Sequence, residues 1–227
     1  MSNELDLFNF NTDDFDIDFD IAESENRIHK PKYKKPLRDS QIKFKDAKKL
    51  ASEIDLTVTP RVDCLISGKF IFGDFIEAYI VSNNIKCEKL VISTLSMSQN
   101  NVDSLRTLME KNYVDQLDLI VSDYFFSHER QNLIPYIYEE LDIDNKFQLA
   151  VARSHVKICF FKTLGGKKIV IHGSANLRSS DNIEQFTIEI NESLYDFYDA
   201  FHASIIETYK TINKSVPHSE INKIFNT

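Results

Sequence analysis

The fold is decided by residues 158–172, which read ICFFKTLGGKKIVIH. Two apolar runs flank the pair Gly165-Gly166, and glycine readily adopts the backbone angles that a tight β-hairpin turn requires. The stretch therefore predicts two antiparallel strands, one ending the apolar run 147–161 and the other covering 168–172. A sheet that contains this hairpin is not purely parallel.

Strands and helices alternate upstream of the hairpin. Apolar runs predict strands, and apolar residues spaced three and four apart predict helices. The predicted strands are 62–68, 90–94, 117–126, 147–161, 168–172 and 185–190, and the predicted helices are 70–81, 101–111, 133–141 and 192–210. Alternating β and α units followed by clustered strands predict an α/β fold, with a mixed β-sheet flanked by helices.

Charge divides the chain into three regions. The chain has 227 residues and a net charge of −8, but its first 26 residues hold nine acids and no base, whereas residues 27–49 hold ten bases and two acids. We therefore expect a disordered tail, acidic and then basic, over 1–35 and a basic linker or helix over 36–58. The apolar content suits one main domain, placed at 59–215, and a C-terminal tail over 216–227.

Composition argues against several classes of protein. The three cysteines are an odd number without a CxxC spacing, which argues against a disulfide framework and a cysteine zinc site. No apolar run approaches the roughly 20 residues of a membrane span, and the N-terminus is acidic where a secretory signal would be basic. His128 and His202 have no partner at a metal-ligand spacing and are expected at the surface. We expect a soluble, cytoplasmic protein.

The open end of the predicted hairpin gathers groups that suit phosphate chemistry. His155 and Lys157 share one face of the predicted strand, while Val156 and Ile158 point into the opposite layer. The hairpin would bring residues 173–176, Gly-Ser-Ala-Asn, beside them. Backbone amides, a hydroxyl, a carboxamide and an ammonium can bind a phosphate oxyanion, and an imidazole of pKa ~6.5 suits nucleophilic or acid–base work.

The charge of this region agrees with a phosphate site. Residues 145–180 hold seven bases and no acid, although the chain after Lys49 is net negative. Such segregation would focus a positive potential at the proposed site. On composition alone, an ordinary solvated hairpin rich in lysine explains the same residues.

The order of the candidate residues resembles a family motif. In sequence order they are His155-x-Lys157, Gly173-Ser174-x-Asn176 and Glu184. This order is similar to the HKD motif of the phospholipase D-like superfamily, and residues 173–185 look particularly like its single-motif bacterial and phage members. The resemblance implies a phospholipase D-like sandwich and a phosphodiesterase that needs no metal or cofactor.

The resemblance also implies a role for each matching residue. His155 would attack phosphorus to give a phosphohistidine or act as general acid, and Lys157 and Asn176 would hold the non-bridging oxygens. Ser174 would make a phosphate or positioning contact, and Glu184 would orient His155 and fix its tautomer. Because the chain carries one motif, a complete site implies a homodimer with both His155 side chains at one phosphate.

One departure from the family pattern leaves two functions open. The pattern has aspartate where this chain has Lys162. The first function is a nuclease of bacterial or phage type that acts on nucleic acid, above all on DNA. The second is a phospholipase D-like protein that has lost its activity and binds nucleic acid or a protein partner without turnover. The basic stretches favour nucleic acid as the substrate. A phospholipid substrate fits less well, because the sequence shows no amphipathic helix that would bind a membrane. The acidic tail would cover a basic surface or recruit a protein partner.

Overall fold

One mixed β-sheet organises residues 39–42, 47–68, 70–178 and 182–210, which this computed structural model describes. The tails predicted over 1–35 and 216–227 lie outside these residues. The strands are β1 (Asp39–Ile42), β2 (Arg61–Ile66), β3 (Cys87–Thr94), β4 (Val114–Ser122), β5 (Phe147–Ala152), β6 (Ile158–Thr163), β7 (Lys168–Gly173) and β8 (Glu184–Ile190). The helices are α1 (Ala47–Glu53), α2 (Phe72–Ser82), α3 (Gln99–Glu110), α4 (Asp123–Glu129), α5 (Leu133–Leu141) and α6 (Glu192–Tyr209).

The strand order explains why the sheet is mixed. The order is β1-β2-β8-β7-β6-β3-β4-β5. The pairs β1–β2, β3–β4 and β4–β5 are parallel, whereas β2–β8, β8–β7, β7–β6 and β6–β3 are antiparallel. The prediction of an α/β fold with a mixed sheet is therefore confirmed. Because β6 runs against β3, it begins at the edge where β3, β4 and β5 end.

The two faces of the sheet carry different helices. Alternate strand residues such as Cys159 and Ile171 face the main core, which the helices α1 to α5 cover. Their neighbours Phe160 and Val170 face the other side, where α6 packs through partly buried side chains. Within the described residues, no helix combines the length and the apolar character that crossing a bilayer requires.

Two of the observed strands end before the apolar runs that predicted them. The run 117–126 leaves the sheet at Ser122, whose hydroxyl accepts a hydrogen bond from Phe125 N–H (3.0 Å) and caps α4. The run 147–161 divides into β5 and β6, joined by residues 153–157. Since β6 lies three strands away from β5, this link crosses about 14 Å of the sheet edge, so it is a loop and not part of a strand.

The structure corrects the expectation that His202 lies at the surface, and it narrows the expectation for the segment 36–58. His202, expected at the surface, is buried on the α6 side of the sheet, with its ring centroid 5.2 Å from that of Phe160, and burial lowers its pKa. The segment 36–58, expected as a basic linker or helix, contains α1, whose Leu50 and Ala51 are buried against the main core. The helix alternative therefore holds for Ala47–Glu53, and the core begins before residue 59.

Leu50→Ala tests whether α1 belongs to the folded unit. We expect the free energy of unfolding to fall by about 2–5 kcal/mol, because the substitution leaves a cavity in the core where α1 meets α2. Urea denaturation followed by circular dichroism measures the change. The matched control is Val58→Ala, since Val58 is 78% exposed. An L50A protein as stable as the V58A protein would contradict the packing of α1.

Candidate functional site

The antiparallel strands β6, β7 and β8 bring the three motif segments to one edge of the sheet. Gly166, with a φ of 85°, lies in the turn between β6 and β7, as predicted for the Gly165-Gly166 pair. At the open end of this hairpin, Gly173 N–H donates to the carbonyl of Lys157 (3.2 Å). On the other side of β7, Ser174 N–H donates to the carbonyl of Gln185 (2.9 Å). The backbones of the three segments therefore meet, as the sequence predicted.

Glycine at position 173 is required by the approach of β7 to β8. A Cβ atom there would lie 2.1 Å from the carbonyl oxygen of Gln185 and 2.7 Å from the Cα of Phe186. Both of these atoms belong to the backbone of β8 and cannot move aside without breaking the pairing. Gly173 thus fixes how closely the Ser174 loop approaches Glu184.

The loop 174–178 is anchored to the main core. Ala175 and Leu177 are buried, and Gly73 N–H at the start of α2 donates to the carbonyl of Leu177 (2.9 Å). Asn176 Oδ1 accepts a hydrogen bond from Leu95 N–H (3.2 Å), which follows β3. The carboxamide is therefore oriented by its oxygen, and its NH₂ group is the part that can donate to an anion.

Glu184 makes a different contact from the one expected. Its carboxylate accepts a hydrogen bond from Ser174 Oγ, and Ser174 Oγ in turn accepts one from Gln185 N–H (3.0 Å). Among the residues that the structure describes, Glu184 makes no hydrogen bond to His155. The physical reason is that Glu184 begins β8 beside Ser174, whereas His155 lies in the loop before β6. The carboxylate positions the serine and not the imidazole.

His155 and Lys157 lie in the loop 153–157 and not on a strand. Val156, expected in the layer opposite to them, is exposed, because the loop lacks the alternation of a strand; Ile158, the first residue of β6, is buried as expected. Lys157 Nζ donates to the carbonyl of His155 (2.7 Å) within the same loop. The His155 side chain lines a groove of about 660 Å³ between this loop and α6. Asn176 and Glu184 line a separate, narrow cleft with Ser67 and Gly68.

Lys162 lies at the far end of the hairpin from the candidate site. It pairs in register with Lys168, next to the turn, and it is exposed. It lies five positions after Lys157, a distance of roughly 16 Å along a strand. A charge at position 162 therefore acts on the hairpin turn and not on groups at the open edge.

A polar network beside the site was missed by the sequence analysis. His172 Nε2 lies 3.1 Å from Glu189 Oε1, which also accepts a hydrogen bond from Arg61 (2.8 Å), while Asn191 donates to Glu189 Oε2 (3.1 Å). Burial opposes ionisation of Glu189, but these donors and the charge of Arg61 outweigh it and lower its pKa. The available signal was the alternation of β8, where Thr187 and Glu189 interleave with apolar Phe186 and Ile188.

The remaining candidates for chemistry are structural. The three cysteines are free and buried, and burial raises the pKa of Cys64 and Cys87 to about 12, so these thiols are unreactive near neutral pH. Burial raises the pKa of Cys159 as well, two residues beyond Lys157. The described residues include no group of three or more His, Cys, Asp or Glu side chains placed to hold a metal ion.

Comparisons with known proteins found solved structures that resemble this chain. No protein-family model matches the sequence, and no curated protein matches it. The chain is similar to Nuc, a phospholipase D family member from Salmonella typhimurium, at 13% identity and a TM-score of 0.47, over 66% of this chain and 97% of that one. It is also similar to TrmBL2, an archaeal chromatin protein, at 8% identity and a TM-score of 0.44, over 65% of this chain and 52% of that one.

A third likeness is to phosphatidylserine synthase from Haemophilus influenzae Rd KW20, at 13% identity and a TM-score of 0.47, over 80% of this chain and 47% of that one. The chain thus spans about half the length of TrmBL2 and of the synthase. These likenesses identify neither a substrate nor a partner for this chain.

Glu189→Gln tests the polar network through the pH dependence of stability. Because the folded pKa of Glu189 is lowered, its contribution is present above the ordinary glutamate pKa of ~4.3 and is lost as the pH falls through the lowered value. We expect E189Q to lower the free energy of unfolding by about 1–3 kcal/mol at pH 7 and to flatten its decline below about pH 4.

Urea denaturation from pH 3 to pH 7 measures both effects, with Glu192→Gln as control because Glu192 is exposed on the first turn of α6. The network would be refuted by E189Q and E192Q proteins that share one pH profile with the parent chain.

Proposed function

We propose that this chain is a phospholipase D-like phosphodiesterase that acts on nucleic acid without a metal ion. The observation that carries the proposal is the pairing of β6, β7 and β8, which aligns Lys157, the loop 174–178 and Glu184 at one sheet edge. This is also the edge where β3, β4 and β5 end, the side of an open α/β sheet on which ligands usually bind.

In the proposed reaction, His155 attacks the phosphorus atom of a phosphodiester. An N–P bond forms, the P–O bond to the leaving group breaks, and a second imidazole gives the leaving oxygen its proton. Water then attacks the phosphohistidine and gives a proton to the second imidazole, which the first step left neutral. A P–O bond forms, the N–P bond breaks, and the phosphate product leaves as His155 is regenerated. The His155 side chain borders an open groove, which leaves it accessible to a substrate.

The other motif residues would stabilise charge on the phosphoryl oxygens. Lys157 would exchange its bond to the carbonyl of His155 for a non-bridging oxygen. The NH₂ group of Asn176, oriented through Leu95, would hold another such oxygen. The Ser174 hydroxyl donates its one proton to Glu184, and to contact the phosphate it would turn that proton from the carboxylate to a phosphoryl oxygen. Glu184 would act as a positioning residue that holds Ser174 in place.

The second imidazole is proposed to come from a second copy of the chain. The sequence contains one HxK and one GSxN element, so one chain supplies one His155. A twofold axis near this edge would place the two His155 side chains on opposite sides of one phosphate. The function therefore requires a homodimer.

Nucleic acid is the proposed substrate because of the charge beside the site. Of the seven bases in the acid-free stretch 145–180, Arg153, Lys157 and Arg178 lie in the loops at this edge, and lysine and arginine near phosphates supply most of the affinity for nucleic acid. Arg153 in the site loop pairs with Asp123 at 3.3 Å. That pair is solvent-exposed, so a phosphate can compete for the guanidinium.

One observation favours a second candidate function, binding without turnover. Glu184 is engaged by Ser174, so the carboxylate expected to orient the nucleophile is committed elsewhere. A site that retained the anion donors but lost the oriented imidazole would bind a phosphodiester and leave it intact. The acidic tail would then cover a basic surface or recruit a protein partner.

His155→Ala separates the two functions. Labelled single- and double-stranded DNA and RNA are incubated with the protein in EDTA. We expect cleavage by the parent chain and a loss of at least about 10³-fold in rate for H155A, because the covalent route is removed. His128→Ala, an exposed histidine on α4, is the control and should cleave at the parent rate. Binding without cleavage by parent and variant alike would establish the second function instead.

Mixing experiments test the shared site. When parent and H155A chains are refolded together in equal amounts, random pairing leaves roughly one quarter of the dimers with two intact histidines. We expect activity near one quarter of that of the same total amount of parent protein. Activity near one half, or light scattering that shows only active monomers, would rule out the shared site.

A further inference from the structure

The groove beside His155 has a composition that the phosphodiesterase chemistry alone does not explain. It lies between the loop 153–157 and the second half of α6, has a volume of about 660 Å³, and is called here the loop–α6 groove. Its α6 wall is formed by Phe201, Ile205 and Tyr209, together with the hydroxyl residues Ser204 and Thr208. Its loop wall carries Arg153 and His155. A groove of this size is within the range of small-molecule sites.

The charge of the loop–α6 groove differs from that of the helix which forms it. Between Glu192 and Tyr209, α6 carries four carboxylates and no lysine or arginine. No carboxylate is among the residues that line the groove, all of which lie in the described ranges, whereas serine and threonine hydroxyls are. The lining of the groove thus combines aromatic and aliphatic side chains, hydroxyl groups and the guanidinium of Arg153, whose exposed ion pair with Asp123 lies outside the lining.

Phe201 is placed to act as a stacking platform. Phe201 is 50% exposed although it borders the groove. Its ring lies nearly perpendicular to the buried ring of His202, at a centroid distance of 5.7 Å. Exposed aromatic rings beside cationic groups are how proteins bind single strands, since every base has a face that stacks.

We infer that the loop–α6 groove is a subsite for an unpaired nucleobase, stacked on Phe201, from a strand whose phosphate lies at His155. The inference rests on the proposed function and narrows its substrate class to single-stranded nucleic acid. Bases inside a duplex are paired and stacked, and flipping one out costs a few kcal/mol. A single strand enters the groove without that cost.

The chain offers an unusually clean probe, because it contains no tryptophan. Phe201→Trp introduces one intrinsic fluorophore at the groove. Phe197→Trp introduces one a helical turn earlier, at a side chain that is 64% exposed and does not line the groove. Both substitutions are made with His155→Ala in the full-length chain, so that binding is measured without turnover. The probes are an oligothymidylate, the matched duplex, and an abasic oligomer of the same length and charge.

We expect the oligothymidylate to quench F201W saturably and to leave F197W nearly unchanged. The abasic oligomer should bind F201W at least about tenfold more weakly than the oligothymidylate, and Phe201→Ala should lose a similar factor for the oligothymidylate but not for the abasic oligomer. The duplex should resemble the abasic oligomer. Phe201→Tyr, which keeps the ring, should restore the affinity.

Four results would overturn the base subsite. Equal quenching of F201W and F197W would show contact with phosphate alone, and equal affinity for the abasic oligomer would show that no base is bound. Protection of F201W from acrylamide before nucleic acid is added would show that another part of the protein, such as residues 211–227, fills the groove. Cleavage by an otherwise intact F201A protein at the parent KM would leave the proposed function standing and the subsite refuted.

Discussion

The close approach of β7 to β8 at Gly173 is the constraint on which the arrangement of the candidate site depends. With a Cβ atom 2.1 Å from the carbonyl of Gln185, no other residue allows this pairing. The pairing lets Ser174 N–H reach Gln185 and Ser174 Oγ reach Glu184. Gly173 N–H also donates to the carbonyl of Lys157, on the other side of β7, so this one glycine holds all three motif segments together.

The elements predicted from local pattern are those that local interactions determine. The β6–β7 hairpin follows from Gly165-Gly166, and the mixed sheet follows from it. The loop 153–157 was not predicted, because an apolar run looks the same whether it continues one strand or leaves one and enters another. Likewise, lysines near Leu50 and Ala51 give the segment a basic composition, so the sequence did not distinguish the helix α1 from a basic linker. Its burial depends on α2, which follows later in the chain.

The candidate site was predicted as a set of residues, and its side-chain contacts were not. The backbones of the three segments meet as expected, but Glu184 contacts Ser174, and the His155 side chain borders the groove under α6. The contact between Arg61 and Glu189 joins residues 128 apart in sequence. Such contacts depend on which strands become neighbours, and no local pattern in the chain specifies that.

The sheet separates two kinds of interaction at one edge. On the main-core side, the loop 174–178 presents the NH₂ group of Asn176; Gly73 N–H holds the loop backbone through Leu177, and Leu95 N–H holds the carboxamide oxygen of Asn176. On the α6 side, the loop 153–157 presents an imidazole beside aromatic and aliphatic side chains. In the proposed function, the two loops would act on one phosphate, and they are joined through the hydrogen bond between Gly173 and Lys157.

The most direct test of the account is to trap the covalent intermediate. The full-length protein is mixed with a single-stranded oligonucleotide in EDTA and quenched within one turnover at alkaline pH, where a phosphoramidate survives, and its peptides are analysed by mass spectrometry. The account predicts a phosphoryl adduct on His155 and none on His128 or His172. Cleavage without any adduct on His155, or an adduct on a different residue, would contradict it.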